Sequence, residues 1–228
     1  MTHEFIKRII SSLILLPIAL FFIIKGSFFF NFFILICFII TSYEWFMMSK
    51  NKLYILPGFI FIIFSFYTVY YLRNEFYGDY IYFIMILAIC IFTDIGGYIF
   101  GKLFKGPKLI KISPNKTYAG MIGGFILSMI AGFIYNENIA IYIYQLKNLD
   151  FLYQIENSKL LLIILLISAV SQIGDLIISY FKRLEKIKDT GKILPGHGGI
   201  FDRIDGLMFV VILSYILYSL KLFASLIN

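Results

Sequence analysis

Three aspartates in the C-terminal third of the sequence have the type and spacing to hold a hard cation. Asp202 and Asp205, in Phe201-Asp202-Arg203-Ile204-Asp205-Gly206, stand three residues apart, a spacing that puts both carboxylates on one helix face. Asp175 closes an apolar run in Gln172-Ile173-Gly174-Asp175-Leu176. Helical periodicity places Gln172, Asp175, Ser179, Lys182 and Lys186 along one stripe. Two or three converging carboxylates suit Mg²⁺, which takes few protein ligands and brings its own waters and substrate phosphates. Plainer accounts stand beside this one. The acidic pair also fits the charge preference of a helix N-terminus, and Asp175 also fits a structural ion pair with Lys182 or Arg183.

Between these acids runs Lys182-Arg183-Leu184-Glu185-Lys186-Ile187-Lys188-Asp189-Thr190-Gly191-Lys192-Ile193-Leu194-Pro195-Gly196-His197-Gly198-Gly199. Pro195 and the glycines argue against helix there. Glycines let successive backbone N–H groups curl into an anion-binding concavity. Lys182, Arg183, Lys188, Lys192 and Arg203 supply positive charge around it. A loop that only oriented the chain would need the cations, but not His197 and four acids as well. A second polar patch lies upstream, from Gly101 to Gly124. Pro107 and Pro114 break helix, and Ser113, Lys116 and Thr117 then fall at a helix start, a natural phosphate site. Asp94, Tyr98 and Lys102 share a face at i, i+4, i+8. Gly97 with Gly101, and Gly120 with Gly124, form two GxxxG pairs, which suit close helix packing rather than chemistry.

The elements that must position these groups are membrane helices. The chain of 228 residues is 61% hydrophobic and 14% charged, with a mean hydropathy of +0.90, far outside the range of water-soluble domains. Several apolar runs are long enough to cross a hydrocarbon layer of about 30 Å. The expected fold is all-α and polytopic, with about seven spans in a range of six to nine. The spans are Ile9 to Ile24, Ser27 to Met48, Leu53 to Leu72, Tyr80 to Phe100, Thr117 to Tyr135, Leu160 to Tyr180 and Gly206 to Ile227. Ile139 to Ile155 is broken by Lys147, Asn148 and Asp150 and reads as an interfacial or loop piece. The first helix lacks a small-residue cleavage site before Lys25 and is expected to stay uncleaved.

Threading these spans from a cytoplasmic N-terminus puts 15 of the 20 Lys and Arg residues on the cytoplasmic side, as the positive-inside rule requires. Residues 1–78 then form N-terminal spans. Residues 79–228 form a catalytic region with cytoplasmic loops at 101–117 and 181–205. The net charge of +7 is accounted for by basic loops against anionic headgroups and implies no nucleic acid. Cys37 and Cys90 lie in separate apolar spans without a pairing motif and read as packing residues. Physics alone reaches a metal-linked, phosphorylated substrate at the cytoplasmic membrane surface. That fits phosphoryl or nucleotidyl transfer, and a transporter of phosphorylated solutes fits it too.

The stretch from Ser179 to Asp205 goes further. Ser179-x-Phe181-Lys182-Arg183, Lys188-Asp189-x-Gly191, and Leu194-Pro195-x-His197-Gly198-Gly199-Ile200-x-Asp202-Arg203-Ile204-Asp205 resemble the signature of bacterial phosphatidate cytidylyltransferases. Ile112 to Thr117 and the Asp94 span are also similar to that family. The resemblance covers roughly Ala88 to Leu207. It implies an enzyme that joins phosphatidate to the α-phosphate of CTP and releases pyrophosphate, using Mg²⁺ with a monovalent ion such as K⁺ beside it. By position, Asp175 and Asp202 would be metal ligands, and Asp205 either a ligand or their neighbour. Lys182 and Arg203 would clamp phosphates. Ser113, Lys116, Thr117, Ser179, Arg183, Lys188, Asp189, His197, Gly198 and Gly199 would shape the substrate site. Expected partners are CTP, phosphatidate and membrane lipids, with a homodimer left open. The expected place is a bacterial cytoplasmic membrane, with the site facing the cytoplasm. Two departures are visible: Tyr118-Ala119-Gly120 stands where the family often has Trp-Glu-Gly, and the chain is shorter than many members. The runner-up enzyme is a CTP-dependent polyprenol-type lipid kinase.

Overall fold

The computed structural model describes residues 3–74, 80–110, 113, 116–140, 157–194 and 198–220, with backbone alone at 3–13 and at 139–140. Seven α-helices are found there: α1 His3–Lys25, α2 Ser27–Ser49, α3 Ile55–Asn74, α4 Ile81–Phe104, α5 Tyr118–Ile134, α6 Asn157–Leu184 and α7 Phe201–Ser219. A single π-helical turn, Tyr135–Ala140, continues α5. Among the described residues, five helices, α2 to α6, are long and apolar enough to cross a membrane. In α1 the side chains described begin at Ile14 and are apolar on to Lys25, and α7 carries Asp202, Arg203 and Asp205 in its first turns. The chain is an all-α, multi-pass membrane protein. Each expected span falls on one helix, within a few residues at the ends described. Most of the segment expected to be interfacial, residues 141–155, and the end of the last span, residues 221–227, lie outside the described residues.

Large apolar side chains point outward along the helices: Phe28, Ile60 and Leu103 are among those at least two-thirds exposed. In water such a surface would drive aggregation; in a bilayer it is the ordinary lipid-facing side. The interior divides into two clusters. One is built on α4, where Ile81, Phe83, Met85, Ile86 and Ile89 pack against Leu160, Ile163, Ile164 and Ile167 of α6 and Val210 and Val211 of α7. The other joins Trp45 and Met48 of α2, Ile62 of α3, Ile178 of α6, and Phe201 and Met208 of α7.

Lipid tails are as apolar as leucine, so close backbone approach must replace the hydrophobic drive between helices. The α4–α5 pair does this with glycine. A Cβ on Gly96 would stand 2.3 Å from the Gly123 carbonyl oxygen, and one on Gly120 would stand 2.7 Å from that of Gly97. The two GxxxG pairs of the sequence therefore do face each other, with Gly96 and Gly123 added. At the other end of the first hairpin, the Arg73 guanidinium donates to the Ile23 carbonyl through Nε at 3.0 Å and Nη2 at 2.9 Å. It thereby satisfies one of the carbonyls left over at the end of α1.

Candidate active site

Four helix ends meet at one level: the C-terminal parts of α4 and α6 and the first turns of α5 and α7. A second close crossing holds two of them. A Cβ on Gly206 would lie 2.7 Å from the Ser171 carbonyl oxygen, and Gly174 approaches the Gly206 Cα. The neighbours of these glycines, Asp175 and Asp205, are thus brought to one cavity. It measures about 340 Å³ and is lined by Asp94 and Tyr98 from α4, Lys116 and Thr117 before α5, and Gln172, Asp175 and Lys182 from α6. Asp189 of the following loop and Asp202, Arg203 and Asp205 from α7 complete its polar wall.

Its charges are paired in a definite way. Lys182 Nζ donates to Asp202 Oδ1 at 2.8 Å and lies 3.6 Å from Asp205 Oδ2. Lys116 Nζ lies 2.5 Å from Asp175 Oδ2, and Ser179 Oγ donates to Asp175 Oδ1 at 3.3 Å. Neither local partner considered for Asp175 is the one it takes: Lys182 goes to α7, and Arg183 Nη1 donates to the Ile187 carbonyl at 3.0 Å. Among the described residues, no three His, Cys, Asp or Glu side chains are grouped closely enough to hold an ion by themselves.

The glycine-rich loop turns its donors inward. Asp202 Oδ2 accepts from Thr190 N at 2.7 Å and Gly199 N at 2.9 Å, with Thr190 Oγ1 at 3.1 Å. These N–H groups, read in sequence as an anion-binding concavity, meet one of the protein's own carboxylates. Leu194 and Gly198 close the loop by reciprocal backbone hydrogen bonds of 2.9 and 3.2 Å, with Gly198 at φ 87°, a conformation that glycine adopts without steric cost. Just after α6, Glu185 accepts from the Tyr54 hydroxyl and pairs with Lys52 at 3.1 Å. The Tyr54 hydrogen bond, then that of Lys52, holds the Glu185 carboxyl below the usual carboxylate range.

Most of the residues singled out by sequence converge. Lys116, Thr117, Asp175, Lys182, Asp189, Asp202, Arg203 and Asp205 all line the cavity. Ser179 reaches it through Asp175. Thr117 is also the N-cap of α5, its hydroxyl accepting from Gly120 N at 3.1 Å. Arg183 and Lys188 are exposed and are not among its lining residues. Ser113 takes part through its carbonyl, which accepts from Lys116 N at 3.0 Å. Lys186 departs from the expected stripe, because α6 ends at Leu184 and Lys186 takes φ 57° beyond it. His197 lies outside the described residues. Two carboxylates carry more than the sequence reading gave them. Asp94, noted only for its helix face, lines the cavity. Glu44 of α2, passed over, is buried against the loop; the expense of a carboxylate in an apolar span is a signal that applies to it as well as to Asp175.

Comparison with known proteins agrees with this assembly. The profile of the cytidylyltransferase family matches residues 6–80 and 54–221. A phosphatidate cytidylyltransferase of Staphylococcus saprophyticus is 37% identical over 191 residues, covering 79% of this chain and 65% of that protein. One from Staphylococcus haemolyticus is 46% identical over 126 residues, covering 55% of this chain and 44% of the relative. One from Staphylococcus aureus strain COL is 37% identical over 191 residues, with coverage of 79% and 65%. The chain thus spans less than two thirds of the length of these relatives. The family match takes in every cavity-lining side chain described above, and the chain belongs to the cytidylyltransferase family.

Proposed function

We propose that this protein transfers CMP from CTP to phosphatidate, giving CDP-diacylglycerol and pyrophosphate, at the cavity between α4, α5, α6 and α7. The observation that carries this reading is the lining of that cavity. Two lysines, one arginine and five aspartates converge at a single level of a membrane helix bundle, and the relatives named above are phosphatidate cytidylyltransferases. The cavity lies at the end of the bundle where the basic loops gather. The positive-inside rule therefore favours a cytoplasmic opening, where CTP is available, in a bacterial cytoplasmic membrane.

The reaction asks little of a general base. A phosphate monoester has a second pKa of about 6, so the attacking oxygen of phosphatidate is already ionised near neutral pH. That oxygen forms a bond to the α-phosphorus of CTP, the bond from this phosphorus to the bridging oxygen of the β-phosphate breaks, and pyrophosphate leaves with the electron pair. The obstacle is repulsion between two polyanions. Lys116, Lys182 and Arg203 reduce it, and Arg203 offers a planar fork for two phosphate oxygens. The charged donors of the cavity that could ligate a cation are carboxylate oxygens, which fits Mg²⁺, an ion that takes one or two carboxylates plus substrate phosphates. One or two of Asp175, Asp202 and Asp205 would hold it together with substrate phosphates, with K⁺ proposed as a companion ion. When bound, Mg²⁺ would neutralise phosphate charge at the reacting centre.

The test uses the purified protein in vesicles containing phosphatidate, supplied with CTP labelled at the α- or the γ-phosphate. Label from the α-position entering lipid supports the cytidylyltransferase. Label from the γ-position entering lipid instead would establish a CTP-dependent lipid kinase, and label from neither position would leave the transporter.

A further inference from the structure

We propose that Glu44, on α2 and outside the Ser179–Asp205 signature, is a positioning residue that fixes the glycine-rich loop and, through it, Asp202. Glu44 is 2% exposed, and both of its carboxylate oxygens accept hydrogen bonds. Oε2 accepts from Phe201 N at 2.8 Å and Thr190 Oγ1 at 3.1 Å, and Oε1 accepts from Ile200 N at 3.1 Å. Ile200 and Phe201 open α7, so Glu44 answers N–H groups that a helix start leaves without intrahelical partners, and its charge suits the positive end of the helix. The loop is shaped around it. A Cβ on Gly191 would stand 2.5 Å from Oε1, and one on Gly199 would stand 2.4 Å from Oε2. Trp45, the next residue on α2, packs edge-on against Phe201 and Phe181 with ring centroids 6.0 and 5.7 Å away, which holds the carboxylate in place.

Two carboxylates therefore divide the donors of one loop. Glu44 takes Ile200 N and Phe201 N, and Asp202 takes Thr190 N and Gly199 N. Thr190 Oγ1 stands 3.1 Å from both. Its single proton serves one acceptor at a time, so it couples the two carboxylates without saturating either. Asp202 is set by the loop, and the loop is set by Glu44. A consequence follows for substrate: with the first N–H groups of α7 already satisfied, phosphates are left to the side chains of Lys116, Lys182 and Arg203. Only this consequence and the turnover measurement below rest on the cytidylyltransferase reading.

The test compares full-length wild type, Glu44→Gln and Thr190→Val by amide hydrogen exchange at residues 188–194 and 198–203, with α4 as reference. CDP-lipid formation is measured across a CTP titration. Losing a hydrogen bond to a charged group corresponds to about 10- to 100-fold. Glu44→Gln should raise loop exchange by about that range, leave α4 unchanged, and lower kcat more than it changes KM for CTP; Thr190→Val should do the same to a smaller degree. Loop exchange at the wild-type level in both variants would overturn the proposal. So would an equal rise in α4 in both, or an opened loop with undiminished turnover. If Glu44→Gln fails to fold, Thr190→Val decides: a rise confined to the loop supports positioning, and no rise sinks it. An opened loop alongside a wild type that makes no CDP-lipid would leave the positioning intact and remove the assigned reaction.

Discussion

The cavity has two lysines paired with carboxylates, and their pairings differ in kind. At Lys182 and Asp202 the side chains are 10% and 3% exposed; at Lys116 and Asp175 they are 27% and 31% exposed. The first contact is enclosed, and Asp202 is further tied by three donors of the loop. The second is half open to the cavity, with one serine hydroxyl beside it. Burying a charge is costly, and removing its partner is costlier still. An open pair is screened and contributes little to stability. The difference separates construction from exchange. Lys182 ties α6 to α7 and offers its charge to substrate from a fixed position, whereas on the proposed function Lys116 would leave Asp175 for a phosphate at small cost.

The sharpest way to break this distinction is Lys182→Met, which keeps length and removes charge. It strands Asp202 and Asp205 beside each other, and a loss of about 3–5 kcal/mol is expected. Thermal unfolding in detergent should show a much lower midpoint, with CDP-lipid formation abolished; a midpoint like wild type would show that the enclosed pair is not structural. Arg203→Lys comes next. Net charge is unchanged and the planar fork is lost, so turnover should fall by about tenfold or more, a barrier change of about 1.4 kcal/mol, with the midpoint held. Lys192→Ala, away from the cavity, serves as the mild control, and equal rates for Arg203→Lys and wild type would assign the arginine to orientation alone.

Lys116→Ala should leave stability within about 1 kcal/mol of wild type, with a nearly unchanged melting midpoint, while raising KM for CTP. A stability loss as large as that of Lys182→Met would erase the contrast between the pairs. The smallest effect is expected outside the cavity. Glu185, held below the usual carboxylate range by Tyr54 and Lys52, contributes stability that is fully present above the unfolded value of about 4.3. That contribution is lost as pH falls through the lower folded value. In Tyr54→Phe the folded value should rise toward normal, and the difference in melting midpoint from wild type should shrink below pH 4; a constant difference at every pH would refute the linkage.

The helices were legible because lipid imposes long apolar runs, and the ends of α2 to α6 fall close to where charge and proline interrupt them. The carboxylate set was legible because Asp175, Asp202 and Asp205 had no cheap place in lipid. What local spacing could not supply was the partner of each charge. Helical periodicity offered Lys182 or Arg183 to Asp175, since both lie on its own helix; the fold instead delivers Lys116 from the start of α5. Periodicity also carried the polar stripe on to Lys186, past the point where α6 stops. The loop glycines pointed correctly to inward-facing N–H groups, but the anion that Thr190 N and Gly199 N meet is Asp202, at the start of the helix that follows the loop. No pattern within the loop encodes Glu44, because its partners are fixed only by how α2 packs on α7.

That packing bears on the order in which the molecule is made. The Glu44–Phe201 hydrogen bond joins residues 157 positions apart. During synthesis, which runs at about 5–20 residues per second, α2 is finished long before Thr190, Ile200 and Phe201 exist. For that interval the donors that Glu44 meets in the finished fold are missing, on a helix rich in phenylalanine and isoleucine. Synthesis of the loop and α7 then supplies all three donors, so a chain interrupted before α7 lacks the backbone bonds that tie its second helix to the loop.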